Sequence, residues 1–162
     1  MKNIIKKIIT ILILTSTFVF SQSMIQGVVV GVSDGDTLKI LDYSKKLYKI
    51  RLAEIDAPEK SQDFGQASKK SLSDMCYKKN AVAYVANIDR YGRSIARVFC
   101  GNKDVNFNQV SLGMAWVYRQ YSNNQSLMQA ESIARRKNIG LWQLSNPVAP
   151  WEYRRTKRPA FQ

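Results

Sequence analysis

The chain of 162 residues is long enough for one domain with a substantial core and too short for two ordinary domains. Its hydrophobic content of 45% and charged content of 23% are typical of a globular protein and argue against long disorder. The net charge of +13 favours a polyanionic partner, namely nucleic acid, an anionic membrane surface or an acidic polymer. Because no histidine is present, histidine-dependent nucleophiles and histidine-ligated zinc are excluded. Any metal would have oxygen ligands, which favours calcium, magnesium or manganese.

Residues 1–23 have the pattern of a secretory signal peptide. A lysine-rich start precedes an apolar run from Ile8 to Phe20, and a short polar stretch follows. This run is shorter than the roughly 20 apolar residues of a membrane span, and an uncleaved N-terminal anchor is the alternative. We therefore expect an exported protein, secreted or periplasmic, with residues 24–162 as its mature domain. The leader holds three lysines and no acids, so the charge of +13 falls to +10 in that domain.

The first half of the mature chain predicts β-strands. Residues 25–32 are rich in valine and contain glycine, which is typical of a bent strand in a barrel wall. Asp34-Gly35-Asp36 predicts a tight turn, because Asp-Gly favours positive φ, and a second strand follows over residues 37–41. The alternation of residues 47–55 predicts a third strand, which ends before Pro58 because proline has no N–H for a ladder.

A helix and a second pair of strands come next. Apolar side chains recur at helical spacing over residues 66–78. Residues 81–88 and 94–100 are predicted as strands joined by the loop 89–93. A short helix over residues 105–112 follows this pair.

The last third of the chain predicts one further helix and a basic tail. Residues 114–118 read as a short extended piece, and residues 126–138 form the clearest helix pattern, which ends at Gly140. In the tail from Pro147, we expect Trp151 to fold back onto the domain and the basic end to be mobile. Five strands with a helix between the third and fourth match a small closed β-barrel of the OB type with helices, an α+β fold.

Cys76 and Cys100 are the two cysteines of the chain. In an exported protein such a pair suggests a disulfide. Two free thiols are the alternative, because the sequence gives no distance between them.

Four carboxylates are expected at the ends of strands. Asp34 and Asp36 flank a turn, and Asp56 and Glu59 lie on either side of Pro58. In a basic chain with only twelve acids, such a patch repels itself unless a cation lies within it, so a hard divalent metal explains it. Alternatively, Asp34 and Asp36 are only turn residues and Glu59 is a solvated loop charge.

Two arginines accompany these carboxylates. Arg51 lies on the strand that leads to Asp56, and Arg93 closes the second hairpin. The planar guanidinium matches two phosphate oxygens and keeps its charge at any working pH. Ordinary surface arginines are the alternative in a chain this basic.

At these residues the chain resembles the staphylococcal nuclease-like (thermonuclease) family, and in its ending the short exported bacterial members. The resemblance covers essentially all of the mature chain. The matching segments are Asp34–Thr37, Arg51–Glu59, Asp89–Arg93, Gly113–Ala115, Gly140–Trp142 and Pro150–Arg154, in the family's order. The resemblance implies a five-stranded OB-fold barrel with three α-helices, which agrees with the elements predicted above.

The resemblance also implies a calcium site. Asp36 and Asp56 would bind Ca²⁺ through carboxylate oxygens, and Ala57 would offer its backbone carbonyl. The family often has threonine where this chain has Ala57, but a backbone ligand does not depend on the side chain.

Three residues take catalytic roles by this resemblance. Glu59 would activate water as the general base, and Arg51 and Arg93 would grip the phosphate and stabilise its growing charge. General principles of catalysis support these roles. A carboxylate positioned as a general base accelerates a reaction by about 10²–10⁴. Fixed donors aimed at the transition state contribute about 10²–10³ each.

Arg90, Tyr91 and Tyr121 are the expected substrate-binding residues. The two tyrosines match family positions near the nucleotide pocket, where aromatic rings stack on bases. Arg119 departs from the family, whose type member has a tyrosine there, so base stacking is expected to differ in this chain.

The family arrangement bears on the cysteines as well. It places the end of the first helix near the end of a neighbouring strand, where Cys76 and Cys100 lie. The resemblance therefore supports a disulfide between them as a hypothesis.

The sequence as a whole predicts a monomeric, calcium-dependent nuclease. It would hydrolyse single-stranded DNA, double-stranded DNA and RNA without a stable protein partner. The resemblance implies that the products carry a 3′-phosphate. A non-catalytic OB-fold protein that only binds nucleic acid is one alternative. A basic protein that adheres to an anionic cell surface is another, although it leaves the carboxylates unexplained.

Overall fold

The computed structural model describes residues 23–157. The predicted signal peptide, apart from Ser23, lies outside the described residues, as do residues 158–162. The strands are, in chain order, β1 (Met24–Val32), β2 (Thr37–Asp42), β3 (Leu47–Leu52), β4 (Ile55–Asp56), β5 (Asn80–Ile88), β6 (Ser94–Cys100), β7 (Lys103–Asp104) and β8 (Trp116–Val117). The helices are α1 (Gly65–Cys76), α2 (Val105–Ser111), α3 (Gln125–Arg136) and α4 (Pro150–Thr156), with short 3₁₀ turns at Arg119–Tyr121 and Gly140–Gln143.

No helix within residues 23–157 has both the length and the apolar composition that crossing a membrane requires.

Five strands close into a barrel. They follow the order β3-β2-β1-β5-β6, and β7 extends the sheet beyond β6. A parallel pairing of β3 with β6, through Ile50 with Ser94 and Leu52 with Ala96, joins the two ends of the sheet. Each of the five strands therefore has a partner on both sides, and the predicted OB-type barrel is confirmed.

Alternating side chains of the strands fill the barrel, and the helices add to the same core. The barrel side chains that are almost completely buried are Val29, Leu38, Ile40, Ile50, Leu52, Ala83, Ala96 and Val98. Helix α1 adds Leu72, and α2 adds Val105 and Val110. A second buried cluster, which includes Trp116 and Trp142, lies outside this core. The tail packs against that second cluster.

The predicted third strand is interrupted near its end. It stops at Leu52, and Glu54 takes a left-handed conformation with φ 66°. The Glu54 carboxylate accepts hydrogen bonds from Ser122 Oγ at 3.0 Å and Asn124 Nδ2 at 3.4 Å, and these bonds hold the bend. The chain resumes as β4, which pairs with β8 through Asp56 and Trp116. The interruption therefore moves Asp56 out of the barrel sheet.

A disulfide joins Cys76 at the end of α1 to Cys100 at the end of β6. The sulfur atoms are 2.08 Å apart and the Cα atoms 5.3 Å apart. The suggested pairing is therefore present. A cross-link over 24 residues stabilises a fold by about 3 kcal/mol in the chain-entropy view.

The tail departs from prediction in one respect. Trp151 does pack back, with its ring centroid 5.6 Å from that of Trp116, as expected. The prediction of a mobile basic end is wrong as far as Lys157, because residues 150–156 form the helix α4. This helix is a fourth one beside the three predicted. Pro150 supplies the preset φ of a first turn, and Glu152 in that turn complements the helix dipole.

Candidate active site

The turn before β2 is packed so that Asp36 points inward. The Gln109 amide donates to the Gly35 carbonyl at 2.6 Å. A Cβ on Gly35 would lie 1.8 Å from Ser68 Oγ, so only glycine allows this close approach. The Asp36 side chain is consequently 5% exposed.

The Asp36 carboxylate is fully engaged in hydrogen bonds and an ion pair. One oxygen accepts from Thr37 Oγ1 at 2.9 Å, and the other accepts from the Ala57 N–H at 3.0 Å. The second oxygen also lies 2.7 Å from Arg51 Nη1. Burial raises the pKa of the Asp36 carboxyl above its usual value, and the Arg51 charge opposes this rise.

Arg51 bridges the two buried aspartates. Its Nη1 contacts Asp36, and its Nη2 donates to Asp56 Oδ1 at 2.8 Å and to the Ile55 carbonyl at 3.4 Å. Although burial disfavours the charged guanidinium, the two carboxylates outweigh it and raise the pKa of Arg51. The turn before β2, the end of β3 and the short strand β4 thus bring opposite charges together at one place.

Glu59 stands beside this pair but faces solvent. Its side chain is 40% exposed, and its Oε1 accepts from Arg154 Nη1 at 2.8 Å. The Glu59 backbone N–H donates to Gln62 Oε1 at 3.1 Å, which fixes the loop. Glu59 is therefore the carboxylate of this site that water reaches most easily.

Arg154 is a residue of this site that the sequence prediction missed. Its Nη1 and Nη2 donate to the two oxygens of Asp56 at 3.2 and 2.7 Å, and Nη1 also reaches Glu59. Despite the cost of partial burial, the hydrogen bonds that Arg154 donates to both carboxylates raise the pKa of its guanidinium. The sequence did contain a signal for a helix here, because Trp151, Arg154 and Arg155 have the i, i+3, i+4 spacing of one helix face. The uniform positive charge of the tail concealed it.

Arg93 lies near these residues but outside their ion-pair network. Parallel pairing of Ser94 with Ile50 sets it next to the strand that carries Arg51. Its Nε donates to Asp89 Oδ2 at 2.7 Å, and its N–H donates to Asp89 Oδ1 at 2.9 Å. These bonds outweigh burial and lower the pKa of the Asp89 carboxyl. Asp89 therefore holds the loop and its arginine in a fixed conformation.

The predicted substrate-binding residues lie on the surface. Tyr91 is 68% exposed and Tyr121 is 65% exposed. The Arg90 guanidinium lies 5.0 Å from the centre of the Tyr91 ring, and Tyr121 packs edge-on against Tyr118 at 4.8 Å. The structure thus makes these side chains accessible at two different places, the hairpin loop and the 3₁₀ turn.

The possible metal donors at this site are all oxygens. They are the carboxylates of Asp36, Asp56 and Glu59 and the carbonyl of Ala57, a donor set that suits a hard cation. Within residues 23–157, no three or more acidic, histidine or cysteine side chains are grouped to hold an ion. A cation held by Asp36 and Asp56 would therefore need backbone and water oxygens to complete its ligand set.

Comparisons with known proteins identify similar sequences. Residues 49–144, more than half of the chain, match the family model described as staphylococcal nuclease homologue. A Haemophilus influenzae protein named "uncharacterized endonuclease" is 49% identical over 130 residues, which cover 80% of this chain and 73% of the relative. An Escherichia coli O157:H7 protein of the same name is 39% identical over 145 residues, covering 86% and 94% of the two chains.

A third relative carries a more specific name. The Shigella flexneri protein "micrococcal nuclease" is 34% identical over 146 residues, which cover 83% of each chain. The family match includes Arg51, Asp56, Glu59 and Arg93, and the barrel of the structure is of the expected type. This chain therefore belongs to the staphylococcal nuclease homologue family and is a nuclease, a phosphodiesterase that acts on nucleic acid.

Proposed function

We propose that the protein is an exported, calcium-dependent nuclease that cleaves DNA and RNA, leaves 3′-phosphate ends and works as a monomer. The observation that carries the proposal is the pair of buried carboxylates, Asp36 and Asp56, bridged by Arg51, with Glu59 joined to Asp56 through Arg154. The disulfide supports export, because such bonds persist in oxidising compartments outside the cytosol.

The calcium part of the proposal rests on the donor set. Asp36 and Asp56 are almost fully buried carboxylates whose charge Arg51 and Arg154 offset in this structure, and a bound metal ion would share that role. Oxygen-only donors with the Ala57 carbonyl nearby fit Ca²⁺ better than a soft metal. Calcium bound there would supply Lewis-acid polarisation of a phosphate oxygen.

Glu59 has the position expected of a general base. Its half-exposed carboxylate is a proton acceptor at the edge of the buried cluster, where water can reach it. Pro58 and the bond to Gln62 fix the backbone on either side of it. Glu59 would take a proton from the water that attacks phosphorus.

Arg51 retains donors for a phosphate. A guanidinium has five N–H donors, and Arg51 makes three contacts in the protein, to Asp36, Asp56 and the Ile55 carbonyl. Its remaining donors can bind a phosphate oxygen while the carboxylates hold the group in place. Arg93, fixed by Asp89, would approach the phosphate from the neighbouring loop.

Calcium should be essential for cutting. Residues 24–162 are expected to digest single-stranded DNA in calcium and to leave it intact in a calcium chelator, because water attacks an anionic phosphodiester only when its charge is offset. Gel analysis of the products checks this, and treatment with phosphatase tests for 3′-phosphate ends. DNA that is bound but never cut with any divalent ion would instead indicate a protein that only binds nucleic acid.

Arg154 is expected to compete with calcium. Its guanidinium donates to both oxygens of Asp56 and to one of Glu59, so a cation bound by these carboxylates would compete with Arg154 for their oxygens. Arg154→Met should therefore tighten calcium binding by up to roughly fivefold, since an ion pair with an exposed partner is worth about 0.2–1 kcal/mol. Calorimetric titration with calcium in the absence of substrate measures the effect.

The matched control is Lys157→Gln, which removes one charge from the same tail without touching these carboxylates. Its calcium affinity should equal that of the unaltered chain. Weaker calcium binding in Arg154→Met would show that Arg154 supports the metal site rather than competing for it.

A further inference from the structure

A cavity of about 580 Å³ opens beside the carboxylate cluster, on the far side of Arg154. Residues of α3 and α4 and the segment Trp116–Gln120 line it. Its volume lies within the range of small-ligand sites. Neither Tyr91 nor Tyr121, the tyrosines predicted to bind substrate, lines this cavity.

The cavity wall carries a built aromatic surface. The rings of Tyr118 and Trp151 stack in parallel, with centroids 5.4 Å apart and planes 3° apart. Both side chains remain partly exposed. Trp116 meets Trp151 edge-on at 5.6 Å and supports it from the buried cluster. Such partly exposed rings offer π-faces against which a nucleobase packs.

The remaining wall is strongly basic. Four arginines line the cavity against a single acid, Glu131. Glu131 is 1% exposed and holds two of them, with Arg119 Nη2 at 2.9 Å and Arg135 Nη2 at 3.5 Å from its carboxylate. Arg135 also lies over the Trp142 ring, 3.9 Å from its centre. These arginines are held in place before a ligand arrives, and their excess charge favours an anion.

Arg154 connects the cavity to the site of cleavage. It lines the cavity and also contacts Asp56 and Glu59. A strand whose phosphate lies at Glu59 is therefore expected to reach the cavity with an adjoining nucleotide.

We propose that this cavity is a second nucleic-acid subsite, which holds an unpaired nucleotide of the substrate strand next to the scissile phosphate. This inference rests on the nuclease function proposed above. The base packs against Tyr118 and Trp151, and the adjoining phosphate lies among Arg119, Arg135 and Arg155. Because a base in this position cannot be paired, the subsite favours single strands over duplex.

Direct binding tests the subsite without cleavage. Residues 24–162 are kept in a calcium chelator, and their affinity is measured by fluorescence anisotropy for a labelled oligothymidylate and for a duplex of equal length. The unaltered chain should prefer the single strand. Trp151→Leu should weaken its binding by roughly 5- to 150-fold, which is the range for loss of one stacked base.

A second variant guards against damage to the fold, because Trp151 packs on the buried cluster. Arg155 is exposed, so Arg155→Gln removes a proposed phosphate contact with little risk to stability. It should lower the slope of log affinity against log salt by about 0.7, as loss of one contact to a single strand does. Arg136→Gln is the matched control, since Arg136 is exposed on α3 and, within residues 23–157, its side chain hydrogen-bonds to Ser132 alone.

The outcomes separate the two proposals. Weaker single-strand binding in both variants, but not in Arg136→Gln, supports the subsite. Affinity and salt slope equal to those of Arg136→Gln overturn it while calcium-dependent cutting stands. A chain that neither binds nor cuts nucleic acid overturns the proposed function and the subsite together.

Discussion

Glu59→Gln is expected to lower kcat on single-stranded DNA by about 10²–10⁴ while DNA affinity and the melting temperature change little. Glutamine keeps the shape of the side chain and its acceptor oxygen for Arg154, which donates to Glu59 Oε1 at 2.8 Å. It removes the basicity needed to take a proton from water. Because the side chain is 40% exposed, its substitution leaves no buried charge without a partner.

Initial-rate kinetics in saturating calcium, with melting curves of the same samples, test this expectation. The matched control is Asp63→Asn, which removes one negative charge from an exposed position of the same loop. Asp63→Asn should cut at nearly the normal rate. Normal turnover by Glu59→Gln would remove Glu59 as the base and leave the attacking water to another group.

Arg51→Ala and Arg93→Ala are expected to separate catalysis from stability. Each should lower activity by about 10²–10³ through loss of donors to the phosphate. Only Arg51→Ala should also destabilise the fold, by about 3–5 kcal/mol, because it leaves buried Asp36 without its cation and removes one of the two arginines that pair with Asp56. Arg93 pairs with Asp89 in an outlying loop, so its loss leaves no buried charge of this kind.

Unfolding by urea and cleavage kinetics on the same variants measure the two effects. Calcium should recover part of the stability lost in Arg51→Ala, because it binds only the folded chain and neutralises Asp36 and Asp56. Arg97→Ala serves as control, since its pair with Asp104 is exposed and should contribute under about 1 kcal/mol. Equal stability of Arg51→Ala and Arg97→Ala would contradict the role given to the buried network.

Local patterns predicted most elements of the barrel within a few residues. Helix α3 spans Gln125–Arg136 where periodicity predicted residues 126–138, and β6 matches residues 94–100. These elements form where apolar side chains repeat at the period of a helix or strand, a property that the sequence displays directly. The break in the third strand was missed, because it depends on bonds from Ser122 and Asn124 to Glu54, about 70 residues away.

The candidate site likewise has features that local sequence patterns predicted and features that they did not. The sequence alone determined the residue types of the site, since Asp36, Arg51, Asp56 and Glu59 lie in short charged segments at strand ends. It also excluded histidine chemistry and indicated the family. These are local properties of the sequence, so they can be recognised without knowledge of the fold.

Only the tertiary structure decided which of these charges meet. Arg51 bridges two aspartates that lie 20 positions apart, and Arg154 returns from the tail to Asp56 across 98 positions. The pairing of β4 with β8 and the packing of α4 on Trp116 bring these groups together. Such contacts form only when distant parts of the chain meet and when aromatic rings are buried together. Neither event produces a periodic pattern in the sequence of the tail, whose most visible feature is its positive charge.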